Sequence, residues 1–155
     1  MGHWETVELR PAARRVMDRL ADAAERKGVT LSLAGGEATI RGVTRIVEEI
    51  LYNLCDNAVV YNRPGGSVTV TVEDCSDGAR VRVADTGIGI PREAQSRVFE
   101  RFYRVDKSHS GEGTGLGLSI VKHGAAYLGA QVSLESREGK GSTFTVFFPS
   151  AEQKS

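Results

Sequence analysis

Residues 67–85 limit the possible folds more than any other stretch. SVTVTVED (67–74) and ARVRVAD (79–85) alternate valine or alanine with polar residues, and Cys75–Gly78 joins them. A period of two puts the apolar side chains of each run on one face, and two such runs across a short connection are antiparallel strands. A strand pair with one apolar face needs a second layer to cover it.

Three helical patterns can supply that layer. PAARRVMDRLADAAERKG (11–28) has Pro11 suited to a first turn, Val16, Met17, Leu20 and Ala24 on one face, and Gly28 as a stop. A second helix starts near Val43 and runs to about Tyr61, with Val43, Ile46, Val47, Ile50, Leu51, Leu54 and Ala58 as its apolar stripe. LGLSIVKHGAAYLG (116–129) reads as the third, and PREAQSRVFERF (91–102) as a shorter one opened by Pro91.

Further strands are expected at TVELR (6–10) and in AQVSLESREGKGSTFTVFFP (130–149), where a glycine turn separates two runs. VTLSL (29–33) and EATIRG (37–42), around Gly35–Gly36, carry a hairpin signal. The expected fold class is α+β, a two-layer sandwich whose mixed, mostly antiparallel sheet is covered on one face by about three helices. The 155 residues suit one domain spanning 1–155, with a core from about 5 to 149 and a frayed tail at 150–155.

Twenty basic residues balance twenty acidic ones, so net charge gives no reason to expect nucleic acid or an anionic membrane as partner. No apolar run approaches the roughly 20 residues that span a bilayer, and MGHWETVELR lacks a signal peptide's apolar stretch. Cys55 and Cys75 read as reduced thiols, which with the missing signal favours a cytoplasmic location. The histidines, His3, His109 and His123, form no ligand cluster.

Several polar residues fit these elements poorly unless they have work to do. Asn53 and Asn57 follow Glu49 at four-residue steps on one flank of the second helix, although asparagine competes with its own helix backbone. Asp85 ends a strand and enters DTGIGIP (85–91), where Gly87 and Gly89 let backbone approach a flat ligand; an Asp-Gly turn would use the same residues. GEGTGLGLSIV (111–121) runs from glycines 111, 113, 115 and 117 into a helix, which is either a mobile linker or a phosphate cradle. It matches neither a P-loop nor a dinucleotide fingerprint. Tyr61 lies one turn past Asn57, and Arg104, in FYRVD (102–106), has a planar fork suited to a terminal phosphate.

In their order, NLCDNAVVYN, DTGIGIP, VFERFYRVD, GTGLGLSIVKH and GKGSTFTVFFP resemble the nucleotide-binding catalytic domain of bacterial sensor histidine kinases, of the GHKL ATPase and kinase superfamily, from about Glu5 to Pro149. The resemblance implies a Bergerat-type fold, ATP and Mg²⁺ as ligands, and a place in two-component signalling. It implies that Asn57 coordinates Mg²⁺, that Asn53 supports metal or phosphates, that Asp85, with Gly87 and Gly89, reads the adenine amino group, and that Tyr61 flanks the base. It implies that Tyr103 and Arg104 meet the nucleotide, Arg104 at the terminal phosphate, and that Gly113, Thr114, Gly115, Leu116, Gly117 and Leu118 belong to a lid at about 106–117. Thr143 and Phe144 would complete the adenine pocket.

Hydrolytic relatives carry a glutamate where this chain has Asn53, which favours phosphoryl transfer over hydrolysis. Many relatives carry lysine where this chain has Val60. No stretch resembles the family's phosphorylated histidine, HELRTPL-like, so the expected acceptor is a histidine on a separate dimerisation domain, with a response regulator downstream. The domain by itself would be a monomer without direct membrane contact, the cytoplasmic part of a membrane-bound sensor. The alternatives are a regulatory nucleotide-binding module without transfer, a hydrolytic ATPase, or a serine kinase opposing a sigma-factor regulator.

Overall fold

The structure, a computed structural model of the chain, describes residues 2–100 and 117–150. Strand β1 (Glu5–Glu8) leads straight into α1 (Leu9–Lys27), whose buried stripe includes Ala13, Val16, Met17, Leu20 and Ala24. Gly28, left-handed at φ 78°, ends α1 and donates its N–H to carbonyls of the last turn, which side chains with a Cβ do less readily. Strands β2 (Thr30–Gly35) and β3 (Thr39–Gly42) precede α2 (Thr44–Val60). Then come β4 (Ser67–Cys75), β5 (Gly78–Asp85), a 3₁₀ turn at Arg92–Arg97, α3 (Gly117–Leu128), β6 (Gln131–Arg137) and β7 (Gly141–Pro149).

The five-stranded sheet has the order β2-β4-β5-β7-β6; β2 runs parallel to β4 and every other neighbour is antiparallel. Its inner face is formed by Val68, Val70 and Val72, by Ala79, Val81 and Val83, and by Phe144, Val146 and Phe148, all buried. The register aligns them across strands, Val70 with Val83 and Val83 with Phe144, so the apolar face is continuous from β4 to β7. Helix α2 lies between α1 and α3 and buries Ile46, Val47, Ile50, Leu51, Leu54 and Ala58. Gly124 on α3 lets the two helices close up, because a Cβ there would meet Ile50 and Ile46 side chains at 3.1 and 3.2 Å. The outer face is polar, and there Glu73 accepts hydrogen bonds from both Arg82 and Arg80.

The α+β sandwich is as the sequence implies, with local differences: the strand expected at 6–10 ends at Glu8, Leu9 and Arg10 already belong to α1, and two others follow. β2 and β3 do not form a hairpin: β2 pairs with β4, while β3 pairs antiparallel with β1 in a separate two-stranded ribbon. Leu31 and Leu33 reach the core from beside β4, β3 covers Val7 on β1, and Gly35–Gly36 turns the chain out of the main sheet rather than back along it. The helix expected over 91–102 is reduced to the 3₁₀ turn, with residues 101–116 outside the described part. No helix among the described residues is long and apolar enough to cross a membrane.

Candidate functional site

Asp85 is the last residue of β5, opposite Val68 on β4 and Ser142 on β7. Its Oδ1 accepts the N–H of Gly87 at 2.9 Å and that of Ser142 at 3.3 Å. Among the described residues Oδ2 has no partner. Burial pushes the carboxyl above its usual range, and the two amides only partly oppose that shift. The result is a half-buried acceptor whose direction is set by backbone and whose second oxygen makes no hydrogen bond among the described residues.

The loop after Asp85 is folded against two neighbours. Ile88 N–H donates to the Tyr61 carbonyl, and Gly139 N–H to the Ile88 carbonyl. These approaches require glycine. A Cβ on Gly87 would stand 2.4 Å from the Tyr61 oxygen, and one on Gly89, at φ 71°, 2.1 Å from the Arg137 oxygen. Gly141, at φ 125°, brings β7 so close that a Cβ would lie 2.0 Å from the Asp85 oxygen. Side chains complete the seam: Ser136 Oγ accepts Ile90 N–H at 2.8 Å, and Gln95 Nε2 donates to the carbonyls of Ile90 and Ser136.

Helix α2 brings Tyr61 to this corner, with Asn57 and Asn53 one and two turns earlier on the same flank. Asn53 donates from Nδ2 to the Glu49 carbonyl at 2.7 Å, and its Oδ1 lies beside the start of α3, 3.1 Å from where a Gly117 Cβ would be. Gly117 thus admits the Asn53 side chain to the first turn of α3. The Asn57 side chain has no hydrogen-bond partner among the described residues. A half-buried amide oxygen without a partner among the described residues suits a hard cation that keeps most of its other ligands. Tyr61 caps α2 and offers its carbonyl to the glycine loop. Val60 adds no charge, and its carbonyl accepts the Lys27 ammonium at 2.8 Å.

The β7 residues divide by face. Thr143, expected in the pocket, points to the side of the sheet opposite buried Phe144, while Ser142 is the residue set against Asp85. Ser142 is nearly buried, with its Oγ 2.7 Å from Ser136 Oγ. The strand period could have found it, since Ser142, Phe144, Val146 and Phe148 share a face. Phe144 is core material, edge-to-face with Phe99 at 6.0 Å. Leu118 is half-buried in the first turn of α3. Tyr103, Arg104, Gly113, Thr114, Gly115 and Leu116 lie outside the described residues. Cys55 is no nucleophile: burial, aided by Asp56, pushes its thiol up to about 12.

The family model of the histidine kinase-, DNA gyrase B-, and HSP90-like ATPases matches residues 42–152. The chain is 46% identical over 99 residues to the sensor-like histidine kinase SenX3 of Mycolicibacterium smegmatis, a match covering 63% of this chain and 26% of that protein. It is 37% identical over 147 residues to the sensor protein kinase PmrB of Pseudomonas aeruginosa, covering 94% of this chain and 31% of that one. It therefore spans less than a third of either relative. A mycobacterial sensor histidine kinase, MprB, superposes with a TM-score of 0.83 at 26% identity, over 95% of this chain and 97% of that one. The catalytic domain of the histidine kinase ThkA has the same fold, with a TM-score of 0.85 at 24% identity over 99% of each chain. On the family match over residues 42–152 and these superpositions, this chain belongs to the histidine kinase-, DNA gyrase B-, and HSP90-like ATPase family and has the fold of a sensor histidine kinase catalytic domain.

Proposed function

We propose that this domain binds ATP with Mg²⁺ and hands the terminal phosphoryl group to a histidine on a separate dimerisation domain of a two-component sensor, which then serves a response regulator. Asp85 carries the assignment: one carboxylate oxygen is pinned by two backbone amides, and the other is left to accept from the amino group of adenine. Tyr61 flanks the base, Gly87 and Gly89 let the loop lie against it, and Ser142 rather than Thr143 completes the pocket. Asn57 would hold Mg²⁺, with Asn53 in support. Bound Mg²⁺ would supply neutralisation of the polyphosphate charge. The amides from Gly113 to Gly117, with Thr114, Leu116 and Leu118 around them, would cradle the phosphates, and Tyr103 and Arg104 would meet the nucleotide from the preceding box.

Transfer is favoured over hydrolysis by Asn53. Its amide cannot take a proton from water, and Glu49, one turn earlier on the helix, faces Arg45 at 4.0 Å. A module that holds nucleotide without transferring is the second reading. Val60 favours it, since an uncharged side chain leaves the phosphates with less help. One assay separates the readings. The domain, γ-labelled ATP and a supplied histidine-containing acceptor domain should yield acid-labile phosphohistidine on the acceptor. Arg104→Ala should reduce that transfer far more than it weakens ADP binding. Free phosphate without label on the acceptor, or normal transfer by Arg104→Ala, would sink the proposal.

A further inference from the structure

We infer that Arg63 is a positioning residue for the base-reading carboxylate, an assignment that rests on Asp85 reading adenine. Arg63 follows α2 in the loop of residues 62–66 and is exposed. Its Nη2 donates to two carbonyls, that of Gly87 at 2.9 Å and that of Gly139 at 3.1 Å. One belongs to the loop after β5 and the other to the turn between β6 and β7. Two carbonyls cannot pair with each other, so the two backbones can be joined at this point only through a shared donor. One guanidinium nitrogen, with two hydrogens in a fixed plane, is such a donor.

The bridge acts on Asp85 through a single peptide unit. The Gly87 carbonyl and the Ile88 N–H belong to the same plane; Arg63 holds the first and the Tyr61 carbonyl accepts the second. Gly87 has no Cβ to limit rotation about its own bonds, so that plane is fixed by its partners. The N–H of Gly87, on the preceding peptide unit across the Gly87 Cα, is the amide that fixes Asp85 Oδ1 at 2.9 Å. On the other side, Gly139 leads into Gly141 and Ser142, whose N–H is the second amide on Oδ1. Arg63 therefore ties together the two segments that aim Asp85, without touching Asp85 itself. The start of its own loop is fixed in turn: Asn62 Oδ1 accepts the Arg63 N–H at 2.9 Å, and Asn62 Nδ2 donates to the Ser67 carbonyl at 3.0 Å.

Loss of the guanidinium should loosen the aim of Asp85 while leaving the sheet and helices in place, because water can reach both carbonyls. The test compares ADP with inosine diphosphate, whose base lacks the amino group, by calorimetry on the wild-type domain and on Arg63→Ala, Arg63→Lys and Arg63→Gln. Wild type should prefer ADP by about tenfold or more, the usual cost of an unpaired buried polar group. Arg63→Ala should bind ADP severalfold more weakly and inosine diphosphate almost unchanged, and Arg63→Lys should recover part of the difference. A general loosening of the domain would weaken both nucleotides alike. Equal loss for both, or no loss for either, overturns the proposal, and Arg63→Gln gives the same comparison if the alanine variant does not fold. If wild type does not distinguish the two nucleotides, the base-reading role of Asp85 fails, and the role of Arg63 with it.

Discussion

Asp85 lowers the stability of the empty domain at neutral pH. Burial raises its pKa above the ordinary 3.8, so the native state holds the proton more tightly than the unfolded chain does. Its contribution to stability is then fullest below the unfolded value and is lost as pH rises through the raised native value. Asp85→Asn removes that pH dependence and keeps an oxygen for the Gly87 and Ser142 amides. The variant should melt at or above wild type at pH 7, with the gap closing as the pH falls towards 3.8. Its ADP affinity should drop at least about tenfold, because an amide N–H would then face the adenine donor. Wild-type ADP affinity should itself weaken in acid, where the carboxyl is protonated. Melting curves and calorimetry across pH check this, and an Asn variant that binds ADP normally would remove Asp85 from the site. At this scale Asn53 and Asn57 stand out in the sequence as poor helix formers and Asp85 as a carboxylate at a strand end beside two glycines, while their roles toward a ligand belong to the proposal. Ser142 is easily passed over because serine is ordinary in a strand, although the strand period puts it on the face of Phe144 and its pairing with Asp85 marks it out.

Two glycines, one in the β6–β7 turn and one at the start of β7, separate local strain from close approach. Gly139, at φ 82°, has open space where a Cβ would go, whereas Gly141, at φ 125°, has the Asp85 oxygen there at 2.0 Å. Gly139→Ala should cost about 1–2 kcal/mol, the penalty of a left-handed backbone. Gly141→Ala should cost clearly more and weaken ADP as well, since β7 must shift away from Asp85. Denaturant titration of both variants measures the difference; equal costs would mean that the strands separate freely at this point. Elements were readable where the signal was local: the valine alternation of β4 and β5 and the apolar stripe of α2 appear as the sequence implies. The β2–β3 pair was misread because Gly35–Gly36 marks a turn without saying which strand comes next to it, and partner choice was decided by β4 and β1 far along the chain.

For the whole molecule, the proposal of transfer to another domain implies that this chain does not phosphorylate itself. His3 and His123 are exposed side chains, neither in a stretch like the family's phosphorylated histidine, and an acceptor must approach the terminal phosphate in line. His109 lies outside the described residues. Incubation with γ-labelled ATP should leave the chain alone unlabelled; strong labelling without an acceptor domain would contradict the proposal.

The parallel pairing of β2 with β4 has a consequence for how the molecule is built in time. Strands β4 and β5 meet across a short turn, as do β6 and β7, but β2 reaches β4 only after β3 and the whole of α2 have passed. Closing a long stretch of chain is entropically unfavourable until other contacts hold its ends, so this edge should lock after the hairpins. Leu33 on β2 packs against the core from that edge. Leu33→Ala should therefore speed unfolding while leaving refolding nearly unchanged, whereas Val81→Ala, inside the β4–β5 hairpin, should slow refolding. Stopped-flow kinetics would show the reverse pattern if β2 were part of the nucleus. On this order of events α2, which carries Asn53 and Asn57, is laid across the hairpins before the edge strand joins the sheet, so the corner where Tyr61 meets the loop after β5 takes shape while one side of the sheet is still open.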